Sequence, residues 1–153
     1  MKNVTLITSS ISSDEDPRNG GWAYFLRYGS NSGEGSGRTK NGLRLRPKPF
    51  LERLEIIAVI KGLERLKVPC EVLLISESDR LLRCVSSSRF VWREEGWKKS
   101  GTNTDLWQRL DEAAEKHIID TQLIGEQSGD PDLKRCDDLA WSQASWFPEW
   151  FTG

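Results

Sequence analysis

A continuous apolar run from Val72 to Ile75 constrains this chain most, because it follows closely on a long amphipathic segment, Phe50 to Lys67. A strand that is apolar at every position is typical of a sheet covered by helices on both faces. In the preceding segment the apolar residues recur with helical spacing, and Pro69 ends the pattern. Together the two segments predict a helix that leads into a central strand of an α/β domain.

The remaining segments complete such a domain. Strands are predicted at residues 4–9, 21–28, 43–46 and 118–124, and helices at residues 78–85, 105–117 and 131–144. Residues 29–37 are predicted as a Gly/Ser-rich connector, and residues 89–99 as a helix or a charged excursion. This order predicts one five-stranded mixed sheet, an antiparallel meander followed by parallel strands, flanked by helices. We assign residues 1–145 to this domain and residues 146–153 to an aromatic C-terminal tail.

Length and composition agree with a single globular domain. The chain has 153 residues, of which 37% are hydrophobic and 29% are charged. Its 22 lysines and arginines against 23 acidic residues give a net charge of −1, so the chain as a whole has no electrostatic preference for nucleic acid. No apolar stretch reaches the length of a membrane span and no secretory signal is recognisable, so we expect a cytoplasmic protein without membrane contact. The three cysteines are predicted to be free, buried thiols.

Three acidic residues fall where solvation alone does not explain them. Glu55 lies beside the apolar face of the first predicted helix, and Asp137 borders the inward face of the last one. Glu77 follows the apolar strand directly, at the carboxyl end where ligand sites of open α/β sheets collect. Carboxylates gathered in one cleft repel one another unless cations balance them, so such a cluster predicts a Mg²⁺ site. Taken singly, each is also compatible with a boundary residue whose carboxylate lies in water.

With their neighbours, these residues resemble ribonuclease H type I over residues 4–145. The resemblance is carried by the segments PRNGGWAYFLRYG, LERLEIIAVIKGLERLK, CEVLLISES, WREEGWKKSGTNTDLWQRLDEA and KRCDDLA. It implies an RNase H-like fold. In that family four carboxylates hold two Mg²⁺ ions, which activate a water and stabilise the leaving oxygen during hydrolysis of RNA paired with DNA.

By this resemblance, Glu55 and Asp137 occupy two of the four carboxylate positions. The first-strand position, an aspartate in the family's T-D-G-S pattern, is Ser9, and the aspartate after the fourth strand is Glu77. A hydroxyl is a poor Mg²⁺ ligand, and a longer side chain disturbs a site that demands near-octahedral geometry. We therefore expect a degenerate catalytic site of Ser9, Glu55, Glu77 and Asp137, in which the three carboxylates bind Mg²⁺ or Mn²⁺ weakly and no cofactor is obligatory.

The residues by which the family holds its substrate also differ here. The T-T-N-N motif is replaced by Pro49 to Glu52, and the loop that normally carries a histidine, residues 124–131, has none. The single histidine, His117, is predicted to be structural. Packing and surface solvation would also explain the candidate remnants of a nucleic-acid-binding surface, which are Asn103, Arg53, Trp92, Trp97, Lys98 and Lys99.

The aromatic residues of the tail are predicted either to pack on their own domain or to dock on a protein partner; they are Trp146, Phe147, Trp150 and Phe151.

Three functions of the chain stay open. The leading hypothesis is a catalytically inactive ribonuclease H-like module that serves in interaction or assembly near nucleic acid. The alternatives are a module that binds RNA–DNA hybrids weakly, and a metal-dependent hybrid endoribonuclease that uses Glu55, Glu77 and Asp137.

Overall fold

The computed structural model describes residues 1–12, 18–125 and 129–145. Its strands are β1 (Lys2–Ser12), β2 (Asn19–Tyr28), β3 (Asn31–Lys40), β4 (Cys70–Ser76) and β5 (Ile118–Leu123). Its helices are α1 (Pro47–Arg65), α2 (Asp79–Arg83), α3 (Arg89–Glu94), α4 (Thr104–Glu115) and α5 (Pro131–Ala144). A π-helical turn, Cys84–Ser88, joins α2 to α3. Among these described helices, none is long and apolar enough to cross a membrane.

The five strands form one mixed sheet in the spatial order β3-β2-β1-β4-β5. The first three pair antiparallel as a meander, whereas β4 pairs parallel to β1 and β5 pairs parallel to β4. The register sets Ile7 beside Ile75, so the central strands β1 and β4 point their carboxyl ends the same way. The predicted five-stranded sheet is confirmed, and α5 has the predicted bounds.

The third strand was predicted in the wrong place. Residues 43–46 form a turn and irregular chain, and the predicted Gly/Ser connector is itself most of β3. Gly35 and Gly37 lie opposite Tyr24 and Trp22 of β2, and a Cβ on Gly35 would lie 2.5 Å from the Tyr24 ring. The glycines therefore leave room for the aromatic rings of the neighbouring strand. Strand propensity, which ranks glycine low, does not predict this cross-strand packing.

The two faces of the sheet carry unequal cores. On one face α1 and α4 cover the larger core, in which Leu6, Ile56 and Trp107 are all fully buried. On the other face α5 packs against Ile7 and Phe25 with a few small side chains. This second layer is thin, so the position of α5 depends on close backbone contact.

Gly21 of β2 makes that contact possible. A Cβ at Gly21 would lie 2.1 Å from the carbonyl oxygen of Ala140 and 2.7 Å from the backbone nitrogen of Ala144. Any larger residue would push α5 away from the sheet, because backbone atoms cannot give way as a flexible side chain does. Gly21 thereby fixes how far α5, which carries Asp137, lies from the central strands.

A buried ion-pair network joins α3 to α4. Arg89, only 6% exposed, donates from Nη1 to Asp111 Oδ1 and to Glu115 Oε1, each at 2.8 Å. Arg93 donates to both oxygens of Asp111, at 2.9 and 2.6 Å, and also to Glu115. Burial alone would raise the pKa of Asp111, but the hydrogen bonds from Arg93 and Arg89 hold that pKa below its ordinary value. Each charge in this network therefore has a partner.

The remaining predictions about thiols and the histidine agree with the structure. Cys70, Cys84 and Cys136 are free and buried. His117 Nδ1 accepts a hydrogen bond from the backbone nitrogen of Cys70 at 3.0 Å, which ties the end of α4 to the start of β4. Burial lowers the pKa of His117. The imidazole is a structural acceptor far from the carboxyl ends of the central strands.

Candidate active site

Four side chains that the sequence singled out lie together near the carboxyl ends of β1 and β4. Ser9 on β1, Glu55 on α1 and Glu77 after β4 line one cleft of about 270 Å³. Asp137 on α5 lines a groove of about 990 Å³, whose wall also includes Glu77. The four positions thus share one end of the sheet, along two depressions that meet at Glu77.

Ser9 and Asp137 are in direct contact. Ser9 Oγ donates a hydrogen bond to Asp137 Oδ1 at 2.6 Å, across 128 positions of sequence. The contact forms because the preceding residue, Cys136, is fully buried against the second core, with its Sγ 3.6 Å from the carbonyl oxygen of Ile7. A hydroxyl that donates to a carboxylate makes a strong, charge-assisted bond. One carboxylate oxygen of Asp137 is therefore engaged by the residue that stands at the first-strand position.

Glu55 differs from the other two carboxylates in its surroundings. Burial raises the pKa of Glu55 above its ordinary value of 4.5, and a hydrogen bond with Ser78 opposes the rise only in part. The nearby carboxylate of Glu52 raises it further. Glu77 and Asp137, in contrast, are exposed. The cleft therefore favours the protonated form of Glu55 more than water would.

The residues present do not fit the two-metal site that the resemblance implies. Within residues 1–12, 18–125 and 129–145, no group of three or more His, Cys, Asp or Glu side chains is arranged to hold a metal ion. Mg²⁺ takes oxygen ligands in near-octahedral geometry and is commonly held by carboxylates. The candidate ligands Glu55, Glu77 and Asp137 lie near one another without forming such a group, and Ser9 adds a neutral hydroxyl to them.

The amino-terminal turns of α1 carry a polar network centred on Asn103. This side chain is fully buried and donates from Nδ2 to the carbonyl oxygen of Pro49 at 3.0 Å and to Glu52 Oε1 at 3.1 Å. Its Oδ1 accepts from Arg53 Nη1 at 3.2 Å. Asn103 is a candidate for contact with nucleic acid, and in this structure its amide group holds the start of α4 against α1. Its burial leaves no polar atom directed at solvent.

The flanking charges of the same network are also paired. Arg53 reaches both carboxylate oxygens of Asp105 at 2.9 Å, and Glu52 accepts from Arg80 Nε at 2.7 Å. Arg53 is 17% exposed, so its guanidinium serves mainly to join α1 and α4. The residues that replace the family's substrate motif thus bond to their own neighbours. A ligand approaching here would meet side chains that are already ion-paired.

The two tryptophans that are candidate remnants of a nucleic-acid-binding surface, Trp92 and Trp97, pack against the larger core. Trp92 lies with its ring centroid 6.4 Å from that of Trp97 and 5.4 Å from that of the fully buried Trp107. Both Trp92 and Trp97 are half-buried against the larger core. The adjacent Lys98 and Lys99 are exposed and remain candidates for contact with a ligand.

Two predicted regions lie outside the described residues. They are the aromatic tail, with Trp146, Phe147, Trp150 and Phe151, and part of the loop that would carry the family's histidine, residues 126–128. The described ends of that loop, Gly125 and Gly129, line the larger groove. The predictions for the tail therefore stand as the sequence made them.

Comparison with known proteins decides the family. The sequence profile of the RNase H family matches residues 2–145. This chain belongs to the RNase H family. Ribonuclease H of Alcanivorax borkumensis is 35% identical over 144 residues, covering 92% of this chain and 90% of that protein. Ribonuclease H of Xanthomonas campestris pv. campestris is 34% identical over 148 residues, covering 94% and 93%.

Solved structures agree with this membership at the level of the fold. LC9-RNase H1, a type 1 RNase H with the type 2 active-site motif, superposes with a TM-score of 0.75 at 17% identity, covering 94% of this chain and 72% of that one. At that identity the likeness shows the fold alone. The predicted RNase H-like fold is confirmed, while the condition of the site rests on the residues of this chain.

Sequence reasoning missed two residues of the site. Ser78 caps α2 by accepting from the backbone nitrogen of Leu81 at 3.1 Å, and it also bonds to Glu55. Arg80 pairs with Glu52 and thereby lies over the amino-terminal part of α1. The sequence could have predicted Ser78 as a helix cap, because a serine just before a segment with helical spacing of apolar residues is typical of the start of a helix. The arginine has no local signal, because its partner lies 28 positions away.

Proposed function

We propose that this RNase H-family protein does not hydrolyse RNA–DNA hybrids by the two-metal mechanism and serves instead as an interaction module near nucleic acid. The observation that carries the proposal is the hydrogen bond from Ser9 Oγ to Asp137 Oδ1. The two-metal mechanism needs both ions fixed on either side of the scissile phosphate. Here a proton donor occupies the position from which a carboxylate would have to bind metal.

The electrostatics of the cleft support the same conclusion. A serine at position 9 removes one negative charge from the site. Metal cations are held by deprotonated, negatively charged ligands, so this loss weakens their attraction. Three carboxylates remain, those of Glu55, Glu77 and Asp137.

The substrate side of the site supports it independently. In place of free amides and hydroxyls, the start of α1 presents Leu51 and an ion-paired Glu52. Recognition of a hybrid depends on hydrogen bonds to phosphates and 2′-hydroxyls. Leu51 is apolar and the carboxylate of Glu52 is already paired with Arg80, so neither side chain offers a hydrogen-bond donor to a phosphate or a 2′-hydroxyl.

A cleavage assay tests the proposal directly. The full chain should release no product above background from an RNA–DNA hybrid at millimolar Mg²⁺ or Mn²⁺. The double variant Ser9→Asp with Glu77→Asp should gain metal binding, measured by calorimetry, more than it gains cleavage. Efficient cleavage by the unmodified protein, lost in Glu55→Gln, would establish instead the endoribonuclease that uses Glu55, Glu77 and Asp137.

The interaction role has its own test in the aromatic tail. Removal of residues 146–153 should leave the melting temperature unchanged if Trp146, Phe147, Trp150 and Phe151 are reserved for a protein partner. A drop of several degrees would show that the tail packs on its own domain, because lost apolar burial lowers the free energy of unfolding. The second result would remove the tail from the proposal.

A further inference from the structure

The sheet ends in two edge strands, β3 and β5, which differ in how they are protected. An edge strand leaves backbone N–H and C=O groups open to another chain, and proteins protect such edges with charged side chains, prolines or bulges. β3 carries Glu34, Arg38 and Lys40, and the carbonyl oxygen of Glu34 accepts a hydrogen bond from Arg65 Nη1 at 2.7 Å. β5 has the sequence IIDTQL, with one charged residue and no proline. Of the two edges, β5 is therefore the more open to pairing.

The outer side of β5 has backbone groups without a partner strand. Ile124, just after the strand, donates from its backbone nitrogen to the carbonyl oxygen of Ser76 at 2.9 Å, so its backbone groups point toward β4. Along a strand this direction alternates from one residue to the next. Ile119, Thr121 and Leu123 therefore direct their N–H and C=O groups away from β4. Among the described residues, no strand pairs with that side of β5.

The side chains of β5 leave apolar surface on both faces of the sheet. Ile119 packs against the larger core, and Leu123 lies on the same face. Ile118 lies on the opposite face, on which its neighbour in β4 is Glu71. Ile118 is 55% exposed and Leu123 is 51% exposed. A helix packed on the sheet would cover only one of them, whereas a strand added at the edge has side chains on both faces and meets both.

A second copy of β5 fits this edge in one antiparallel register. A two-fold axis perpendicular to the sheet keeps its two faces continuous, so residues directly opposite each other must lie on the same face. The register centred on Thr121 pairs Ile118 with Ile124, Ile119 with Leu123, Asp120 with Gln122, and Thr121 with itself. Apolar residues thus meet apolar residues, and the carboxylate meets an amide. A register centred on Asp120 would set two carboxylates opposite each other, and one centred on Gln122 would set Ile124 opposite Asp120.

We propose that two copies of this chain associate through β5, antiparallel and centred on Thr121, so that their two sheets become one. The outward N–H and C=O groups of Ile119, Thr121 and Leu123 then bond to those of the second copy, and the exposed Ile118 and Leu123 each gain an apolar partner. The contact is small beside a standard protein interface, so we expect a dissociation constant on the order of 10–100 µM. The association goes beyond the proposed function and needs neither metal nor nucleic acid. Its test is therefore independent of the cleavage assay.

Sedimentation velocity of the full chain, from about 1 to about 500 µM, brackets the expected constant. The unmodified chain should pass from monomer to dimer over this range. Thr121→Pro removes an N–H that points outward, so the ladder to β4 stays intact while pairing at the two-fold axis is lost. This variant should remain monomeric throughout. Thr121→Val keeps the N–H and the branched side chain, so it is the matched control and should dimerise like the unmodified chain.

Disulfide trapping tests the register. Residues opposite each other in a hydrogen-bonded antiparallel pair have Cα atoms about 5.5 Å apart, which a disulfide spans, so Thr121→Cys should form a linked dimer under mild oxidation. Asp120→Cys should not, because the rise of two residues along the strand separates it from its counterpart by about 8 Å. Cys70, Cys84 and Cys136 are buried, so the unmodified chain should give no linked dimer. Gel electrophoresis without reductant measures the linked fraction.

Three results would overturn the proposal. They are an unmodified chain that stays monomeric at every concentration, a dimer that Thr121→Pro leaves unchanged, and linkage through Asp120→Cys in place of Thr121→Cys. Thermal unfolding verifies that each variant is folded. If Thr121→Pro does not fold, the two cysteine variants decide the question without it. None of these results bears on whether the chain cleaves a hybrid.

Discussion

Two groups of carboxylates in this molecule have opposite surroundings. In the network between α3 and α4, Asp111 and Glu115 meet two arginines, and hydrogen bonds lower the pKa of both acids. At the carboxyl ends of β1 and β4, Asp137 meets a serine and Glu55 lies in a cleft where burial raises its pKa. The first group stabilises the fold in its ionised form. In the second group, ionisation of Glu55 costs stability, which is typical of a functional site rather than of a structural ion pair.

The largest effect should come from breaking the paired network. Asp111→Ala leaves the buried Arg89 with Glu115 as its one remaining carboxylate partner beside the carbonyl oxygen of Val85, and should lower the free energy of unfolding by roughly 3 kcal/mol, as expected when one member of a buried ion pair is removed. Chemical denaturation measures the loss. The control Asp79→Ala breaks the exposed pair with Arg83 and should cost under about 0.5 kcal/mol. If Asp111→Ala and Asp79→Ala lowered the free energy of unfolding equally, burial of the network would not contribute to stability.

Low pH should also destabilise the protein through the network between α3 and α4, by less than the substitution Asp111→Ala does. The pKa values of Asp111 and Glu115 lie below their ordinary values of 3.8 and 4.5. Their stabilisation is therefore present above those values and is lost as pH falls through the lowered folded-state pKa. Melting temperatures between pH 5 and pH 2.5 should fall more steeply for the unmodified chain than for Asp111→Asn. Parallel curves would show that other carboxylates dominate acid unfolding.

Stability should depend on the protonation of Glu55 with the opposite sign. Because burial raises the pKa of Glu55, its contribution to stability is present below about 4.5 and is lost as pH rises through the raised value. Glu55→Gln should therefore stabilise the protein at pH 7, by about 0.5–1 kcal/mol, and have no such benefit at pH 4. Thermal unfolding at pH 7 and at pH 4 measures this difference. Glu77→Gln, at an exposed position, is the control and should change the melting temperature little at either pH.

The smallest effect is expected at Ser9. Ser9→Ala removes a partly exposed hydrogen bond to Asp137 and should cost about 0.5 kcal/mol, the low end for a single hydrogen bond. Ser9→Thr keeps the hydroxyl and is the control. Urea denaturation compares the free energies of unfolding of the two variants. A cost of several kcal/mol for the alanine would mean that the Ser9 contact holds α5 in place, a role assigned here to Gly21.

The sequence predicted the elements whose pattern is local. Residues 131–144 were assigned correctly because Asp130 and Pro131 mark the start and apolar residues recur along the helix. The strand β3 was missed because its signal is not apolar. Glycines at alternate positions, such as Gly35 and Gly37, share one face of a strand, and their aromatic partners on β2 become visible only once the strands are paired.

The candidate site was predicted in its positions and not in its contacts. The resemblance to a known family located Ser9, Glu55, Glu77 and Asp137, all of which lie near the ends of β1 and β4. Whether Ser9 would face Asp137 depends on how closely α5 packs, which no pattern within a helix or a strand specifies. The burial of Asn103 likewise follows from the packing of α4 on α1, not from its own neighbours in sequence.

The π-helical turn Cys84–Ser88 has a consequence for how this chain can vary among relatives. It takes up one residue more than an α-helical turn would. Five residues in π-helical geometry turn the chain by about as much as four residues of α-helix, so loss of a single residue there would restore regular α-helix and keep the phase of α3 nearly unchanged. Arg89 and Arg93 would then still face Asp111. A deletion inside α3, between the two arginines, would instead rotate Arg93 by about 100° off that carboxylate. Changes of length by one residue should therefore be tolerated in the turn and not in α3.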